Sequence, residues 1–168
     1  MRNIKGYILM LFFMAVSTSM FSQENIDLKK NSVDIAIGGN GLFISTNYSR
    51  IVLVKSNYFI NTLVGIGTIM SVGGVTLPHQ ITFNFGKNSS FLEVGVGGSF
   101  WSGKSNASGY TETTTSYQLS PIIGWRKNFK SNLVFRAYAN PLFHISGEYF
   151  IENYSVVPFA GVSLGYTF

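Results

Sequence analysis

His144 and Ser146 are the two residues whose types and spacing come nearest to catalytic chemistry. Residues two apart on an extended strand point to the same side. An imidazole there would lie beside a hydroxyl and could take its proton, the arrangement of an activated nucleophile. The nearby carboxylates are Glu148 and Glu152. Pro141 and Gly147 also argue that residues 144–153 form a loop. A second constellation is charged rather than nucleophilic. Glu93, Arg126 and Arg136, with Asp34 and Arg50 as further candidates, fall toward the polar side of alternating segments. A desolvated charge needs a partner, so Glu93 with Arg126 or Arg136 is expected to form a buried ion network. Such a network is either a structural plug or a narrow ion path, and the plug is the leading expectation. His79, just after Pro78, is the last candidate. Two isolated histidines without a Cys or carboxylate cluster do not make a metal site, so no metal and no cofactor are expected. The chain has no Cys and no P-loop, dinucleotide fingerprint or zinc-ligand spacing.

The segments that must position these residues alternate with period two, the signature of strands. Leu92, Val94, Val96 and Phe100 share a face, with Gly98 among them, opposite Glu93, Gly95, Gly97 and Ser99. Val162, Leu164, Tyr166 and Phe168 oppose Gly161, Ser163, Gly165 and Thr167. Tyr117, Leu119, Pro121, Ile123 and Trp125 oppose Gln118, Ser120, Gly124 and Arg126. Turn-forming stretches separate the strands, among them Gly38–Gly41, Gly86–Ser90 and the polar run Ser102–Thr115. Seven connections give eight strands, expected near 32–39, 42–50, 58–70, 76–86, 90–101, 115–126, 132–141 and 154–168. For residues 42–50 and 58–70 the pattern leaves the choice of face open.

The chain of 168 residues has room for one domain. Its N-terminus has the parts of a secretory signal: Arg2 and Lys5, the apolar run Tyr7–Val16, then Ser17, Ser19 and Ser22. Residues 1–22 are therefore read as a signal peptide and residues 23–168 as the mature barrel domain. The apolar run is shorter than the ~20 residues that cross a bilayer as a helix, so spanning would fall to strands. Without Arg2 and Lys5 the twelve basic residues become ten against seven acidic, and the formal charge falls from +5 to +3. The bases are scattered, and no nucleic-acid partner is expected.

Large apolar side chains occupy one face of the strands and small or polar ones the other. An eight-stranded barrel encloses only enough room for side chains, so the small and polar face suits the interior and the bulky face suits lipid. Aromatic residues near the expected strand ends (Tyr48, Phe59, Phe85, Phe91, Phe100, Trp101, Trp125, Tyr154 and Phe168) suit an interfacial girdle. The ending Val162–Phe168 resembles the C-terminal signature of outer-membrane barrels, in which a terminal aromatic follows apolar residues at alternate positions. The mature chain is similar to the small OmpX/OmpA-like, porin-like families. That resemblance implies that Leu164, Tyr166 and Phe168 are an assembly signal read by the barrel-assembly machinery, with outer-membrane lipid as the other partner. The His144-Ile145-Ser146 element resembles that of PagL-type lipid A deacylases, although Gly147 stands where that family has Asn, no carboxylate lies around Pro158, where that family's acidic member would be sought, and Glu148 and Glu152 are wrongly spaced for it. The expectation is thus an all-β, eight-stranded antiparallel up-and-down transmembrane β-barrel of the bacterial outer membrane. Its expected role is structural or surface-interacting rather than enzymatic, with a side-chain-filled lumen and a surface ligand that the residues do not specify. A lipid A deacylase and a narrow channel are the alternatives.

Overall fold

The computed structural model describes residues 28–69, 74–105, 112–147 and 154–168; the expected signal peptide at 1–22 lies outside them. Ten segments follow in chain order: β1 (Asn31–Gly38), β2 (Ile44–Val54), β3 (Tyr58–Ile69), β4 (Gly74–Lys87), β5 (Ser90–Ser105), β6 (Glu112–Asn128), β7 (Leu133–Ala139), β8 (Leu142–Gly147), β9 (Val156–Val157) and β10 (Ala160–Thr167). They make eight positions around a closed antiparallel ring. β1 to β6 pair in sequence, β7 and β8 lie end to end along β6, and β9 and β10 lie end to end beside them. β10 returns to β1, with Ser32 opposite Thr167 and Gly38 opposite Gly161. The β1–β10 pairing closes the ring, while β9 pairs with β8 alone. The seventh and eighth positions are each interrupted at a proline, Pro141 and Pro158, where the chain lacks a donor for the ladder. Asn140 N–H still donates to the Phe159 carbonyl at 2.9 Å, so the two breaks sit side by side.

The ends of the barrel differ. At one end lie the chain segments around Asn31 and Phe168 and three tight connections, 55–57, 88–89 and 129–132. Asn88 and Asn132 both have φ of 63° there, a conformation Asn tolerates better than most residues. We call this the turn end. At the other, the loop end, the β1–β2 connection forms a single 3-10 turn, Gly39–Gly41, and the remaining connections have tips outside the described residues.

Three expectations are revised. The Ser102–Thr115 stretch is not all loop: Ser102–Ser105 pairs with Thr115–Glu112, so the β5–β6 hairpin extends well beyond its expected limits. The Thr-rich run Thr113–Thr115 has high strand preference, which favours this pairing over a solvated loop. Residues 142–147 are strand rather than loop, because β6 is long enough to offer them a partner. The open choice of face is settled by register: Ser45, Asn47, Ser49 and Ile51 point inward from β2, and Phe59, Asn61 and Leu63 from β3.

Candidate functional site: a filled and stoppered lumen

Inside the barrel, buried polar and charged residues outnumber buried hydrophobic ones by about two to one. At its centre Glu93, 0% exposed, faces Arg136 across the intervening strand β6. Arg136 Nε donates to Glu93 Oε2 at 3.0 Å and Nη2 to Oε1 at 2.8 Å, the two-pronged geometry that guanidinium and carboxylate favour. Gln80, with its amide oxygen turned to the guanidinium, accepts from Arg136 Nη1 at 3.1 Å and also from Nη2. The Tyr138 ring lies 5.0 Å beneath the same guanidinium.

Arg126 is the cross-strand partner of Arg136, so two like charges stand side by side. Its Nε donates to Asn128 Oδ1 at 3.0 Å, and its guanidinium lies 5.2 Å from the centre of the Phe59 ring. Of the two arginines considered for Glu93, it is Arg136 that clamps the carboxylate. Asp34 accepts from Asn47 Nδ2 at 2.9 Å and lies within electrostatic reach of both arginines. The buried charges are thus two carboxylates and two guanidiniums, a neutral set. Arg50, a candidate for the inner face, is instead exposed on the outer surface two residues beyond Tyr48.

Apolar stoppers close the lumen above and below the charges. At the turn end Ile51, Phe59 and Phe91 pack together with Leu28 against them, the two rings meeting edge-to-face at 4.9 Å. At the loop end Leu42, Trp101 and Leu142 form a second cluster with Val157 and Phe159. Phe59, Phe91 and Trp101 therefore belong to the interior rather than to the expected girdle. Tyr48, Phe85, Phe100, Trp125, Tyr154 and Phe168 do face outward.

The β1–β2 connection supplies a polar stopper that the sequence did not reveal. Gly38 and Gly39 adopt positive φ, 74° and 66°, and turn the chain into the barrel mouth. Asn40 is carried inside, 3% exposed, where its Oδ1 accepts from Ser120 Oγ at 2.6 Å and from Asn140 Nδ2 at 2.8 Å. Thr76 Oγ1 donates to the Gly41 carbonyl at 3.0 Å. Leu42 has φ of 69°, an uncommon state for a side chain without a polar tip, and its complete burial against Trp101 and Leu142 holds it there. In sequence GGNG looks like any tight turn. The one local hint is that two successive glycines allow the backbone to double back.

His144 and Ser146 do not come together. Their strand bulges at Ile145, so His144 pairs with inward-facing Gln118 while Ser146 pairs with outward-facing Tyr117. A bulge of one residue reverses the side-chain alternation, and the pair loses the shared face that catalysis would need. His79 is a structural residue of the outer wall. Nδ1 donates to the Leu77 carbonyl at 3.3 Å, which leaves Nε2 to accept from the Tyr117 hydroxyl at 3.1 Å. The two rings stack at 5.8 Å over Gly98, where a Cβ would stand 2.6 Å from that hydroxyl. No group of three metal-ligating side chains occurs among the described residues.

Leu164, Tyr166 and Phe168 form an exposed outward row on β10 and the residue after it. Phe168 is tied into the ring by reciprocal backbone bonds with Asn31 at 2.8 and 3.2 Å.

No protein-family model and no curated protein matches the sequence. Among solved structures, the N-terminal β-barrel domain of Pseudomonas aeruginosa OprF is similar, with a TM-score of 0.57 at 13% identity, over 83% of this chain and 96% of that one. Ail, the attachment invasion locus protein of Yersinia pestis, aligns with a TM-score of 0.46 at 13% identity, over 84% and 100% of the two chains. The likeness to the OprF domain is one of fold: a small closed antiparallel β-barrel, here with the eight positions that the strand count leads to.

Proposed function

We propose that this protein is an integral barrel of the bacterial outer membrane with a closed lumen, acting as a structural or surface-interacting element rather than as a pore or a lipid-modifying enzyme. The observation that carries this reading is the inversion of the two faces. Outside, the row Val75, Leu77, His79, Ile81, Phe83 and Phe85 is exposed or half-exposed along β4, and equivalent apolar rows run along the other strands. Ten residue steps at about 3.4 Å, tilted by about 40°, give a belt roughly 26 Å tall. That matches the ~25 Å apolar band of outer-membrane barrels. A water-soluble barrel would instead present this area to solvent, far beyond the few hundred Å² that monomers tolerate. The charge-balanced ion cluster and the stoppers at both ends favour a lumen that does not conduct. The bulge at Ile145 weighs against hydrolysis by His144 and Ser146.

The test is electrophoretic mobility of the mature protein from outer-membrane fractions, with and without boiling, for wild type and a variant lacking Phe168. A faster unboiled form in the membrane fraction, reduced by the deletion, is the expected result. A soluble periplasmic protein with no heat shift would overturn the proposal, and stepwise conductance in planar bilayers would overturn the closed lumen.

A further inference from the structure

The charged residues outside the lumen are divided between the two ends of the barrel. Lys104 stands on β5 toward the loop end, while Lys29, Lys30, Lys55, Lys87, Lys127 and Lys130 all lie at the turn end, with Arg50 on the strand that leads to it. Among the described residues no acidic side chain accompanies them: Asp34 and Glu93 are inside the lumen, and Glu112 begins β6 at the loop end. Glu24, Asp27, Glu148 and Glu152 lie outside the described residues.

These lysines stand at a particular depth. The outward row of β4 reads Ile81, Phe83, Phe85, Lys87, and that of β6 reads Pro121, Ile123, Trp125, Lys127. In both rows the side chains pass from aliphatic to aromatic to cationic. The last step is two residues, about 6.8 Å along the strand. The Tyr58 ring lies tilted beside those of Phe83 and Phe85 in the same band, at 6.4 and 5.9 Å. Lys127 is held at the rim, its Nζ donating to Ser89 Oγ at 2.8 Å and to Ser90 Oγ at 3.2 Å. In a bilayer, aromatic residues settle at the boundary of the hydrocarbon, and a cation one step further out lies at the level of the phosphates.

We infer that the turn end is a binding surface for anionic glycerophospholipids of the leaflet it faces, whose phosphates are held by the lysine ring while their chains lie along the aromatic band. The inference rests on the membrane reading above and adds to it a lipid class and a place. Charge complementarity selects the occupant: Lys55, Lys87 and Lys127 present ammonium groups with no acidic side chain beside them among the described residues, and the apolar wall beneath requires a ligand with both a phosphate and hydrocarbon.

Trp125 reports on this surface directly. It faces outward two residues from Lys127, whereas Trp101 is enclosed in the lumen. The mature chain, folded into phosphatidylcholine vesicles, is challenged with phosphatidylcholine or phosphatidylglycerol brominated on the acyl chains near the headgroup. The inference expects phosphatidylglycerol to quench with an apparent preference of about fivefold, equivalent to one lysine attracted to an anionic surface. The preference should fall as salt shortens the Debye length from about 10 Å at 0.1 M to about 3 Å at 1 M. It should approach unity in a variant combining Lys55→Gln, Lys87→Gln, Lys127→Gln and Lys130→Gln, checked for folding by its heat shift. Equal quenching of the wild type by the two lipids overturns the inference and leaves the membrane reading standing. Quenching by neither lipid overturns both. A preference that salt or the combined variant leaves unchanged also overturns the inference.

Discussion

Replacing Glu93 by Gln keeps the side-chain volume and removes one charge, so its effect isolates the electrostatics of the lumen. In the wild type the carboxylate takes two guanidinium hydrogen bonds, at 2.8 and 3.0 Å, with both partners almost wholly excluded from solvent. The substituted amide can accept through its oxygen alone, and its NH2 group then confronts a donor. The four buried charges cease to balance, with two arginines, themselves cross-strand neighbours, facing only Asp34. Breaking a buried pair from one side costs about 3–5 kcal/mol. With a urea dependence of about 2 kcal/mol per molar, the unfolding midpoint in phosphatidylcholine vesicles, read by tryptophan fluorescence, should fall by about 2 M. Removing both charges, as Glu93→Gln with Arg136→Met, leaves no orphan at the clamp and should recover more than half of the loss. A midpoint shift below about 0.5 M for Glu93→Gln, or a double variant no more stable than the single one, would refute the argument that the clamp is a closed, desolvated pair.

The remaining predictions concern the stopper, the outer wall and the discarded active site. Gly97→Val should drive the new side chain against Asn40 and displace it from Ser120 and Asn140, lowering stability by about 1–3 kcal/mol in the same urea titration. Tyr117→Phe leaves His79 Nε2 unpaired against hydrocarbon and should cost about 1–3 kcal/mol, most of it recovered when His79→Phe is added, since replacing both partners by apolar groups is nearly neutral. Lipid A from cells producing wild type, His144→Ala or Ser146→Ala should show the same number of acyl chains by mass spectrometry; a chain lost only with the wild type would revive the enzyme reading.

The barrel was legible because its rows are redundant. Leu92 to Phe100 and Val162 to Phe168 each repeat the same alternation several times, so a single exception such as Ile122 does not hide it. The polar partners of the lumen were only half legible. Alternation brings Glu93, Arg126 and Arg136 to one face, but choosing between the arginines requires knowing that Arg136 reaches over β6 while Arg126 turns to Asn128 and Phe59. The inward aromatics show that strand-end position alone does not fix a side: Phe91 and Trp101 share the odd phase of Glu93 and Ser99, which alternation turns inward, whereas Phe59 is placed only by the register of β3. The His144–Ser146 pairing failed for the same reason at smaller scale, since one bulged residue reverses a face and has no reliable mark in composition. Asn40 was invisible, because its partners lie 80 and 100 residues further along.

That separation has a consequence for the order in which the molecule can be built. The tip of the first hairpin, Gly38–Phe43, finds its hydrogen-bonding partners on the fourth, sixth and seventh staves of the ring. A stopper seated in this way is hooped in as the wall comes round it, because a finished ring with Leu42 wedged against Trp101 and Leu142 offers no free passage for later entry. A hairpin that precedes β3 to β10 in the chain is therefore among the last parts to become fully satisfied. Such long-range contacts are slow to form, and the mouth is sealed only when Asn40 has met Ser120 and Asn140.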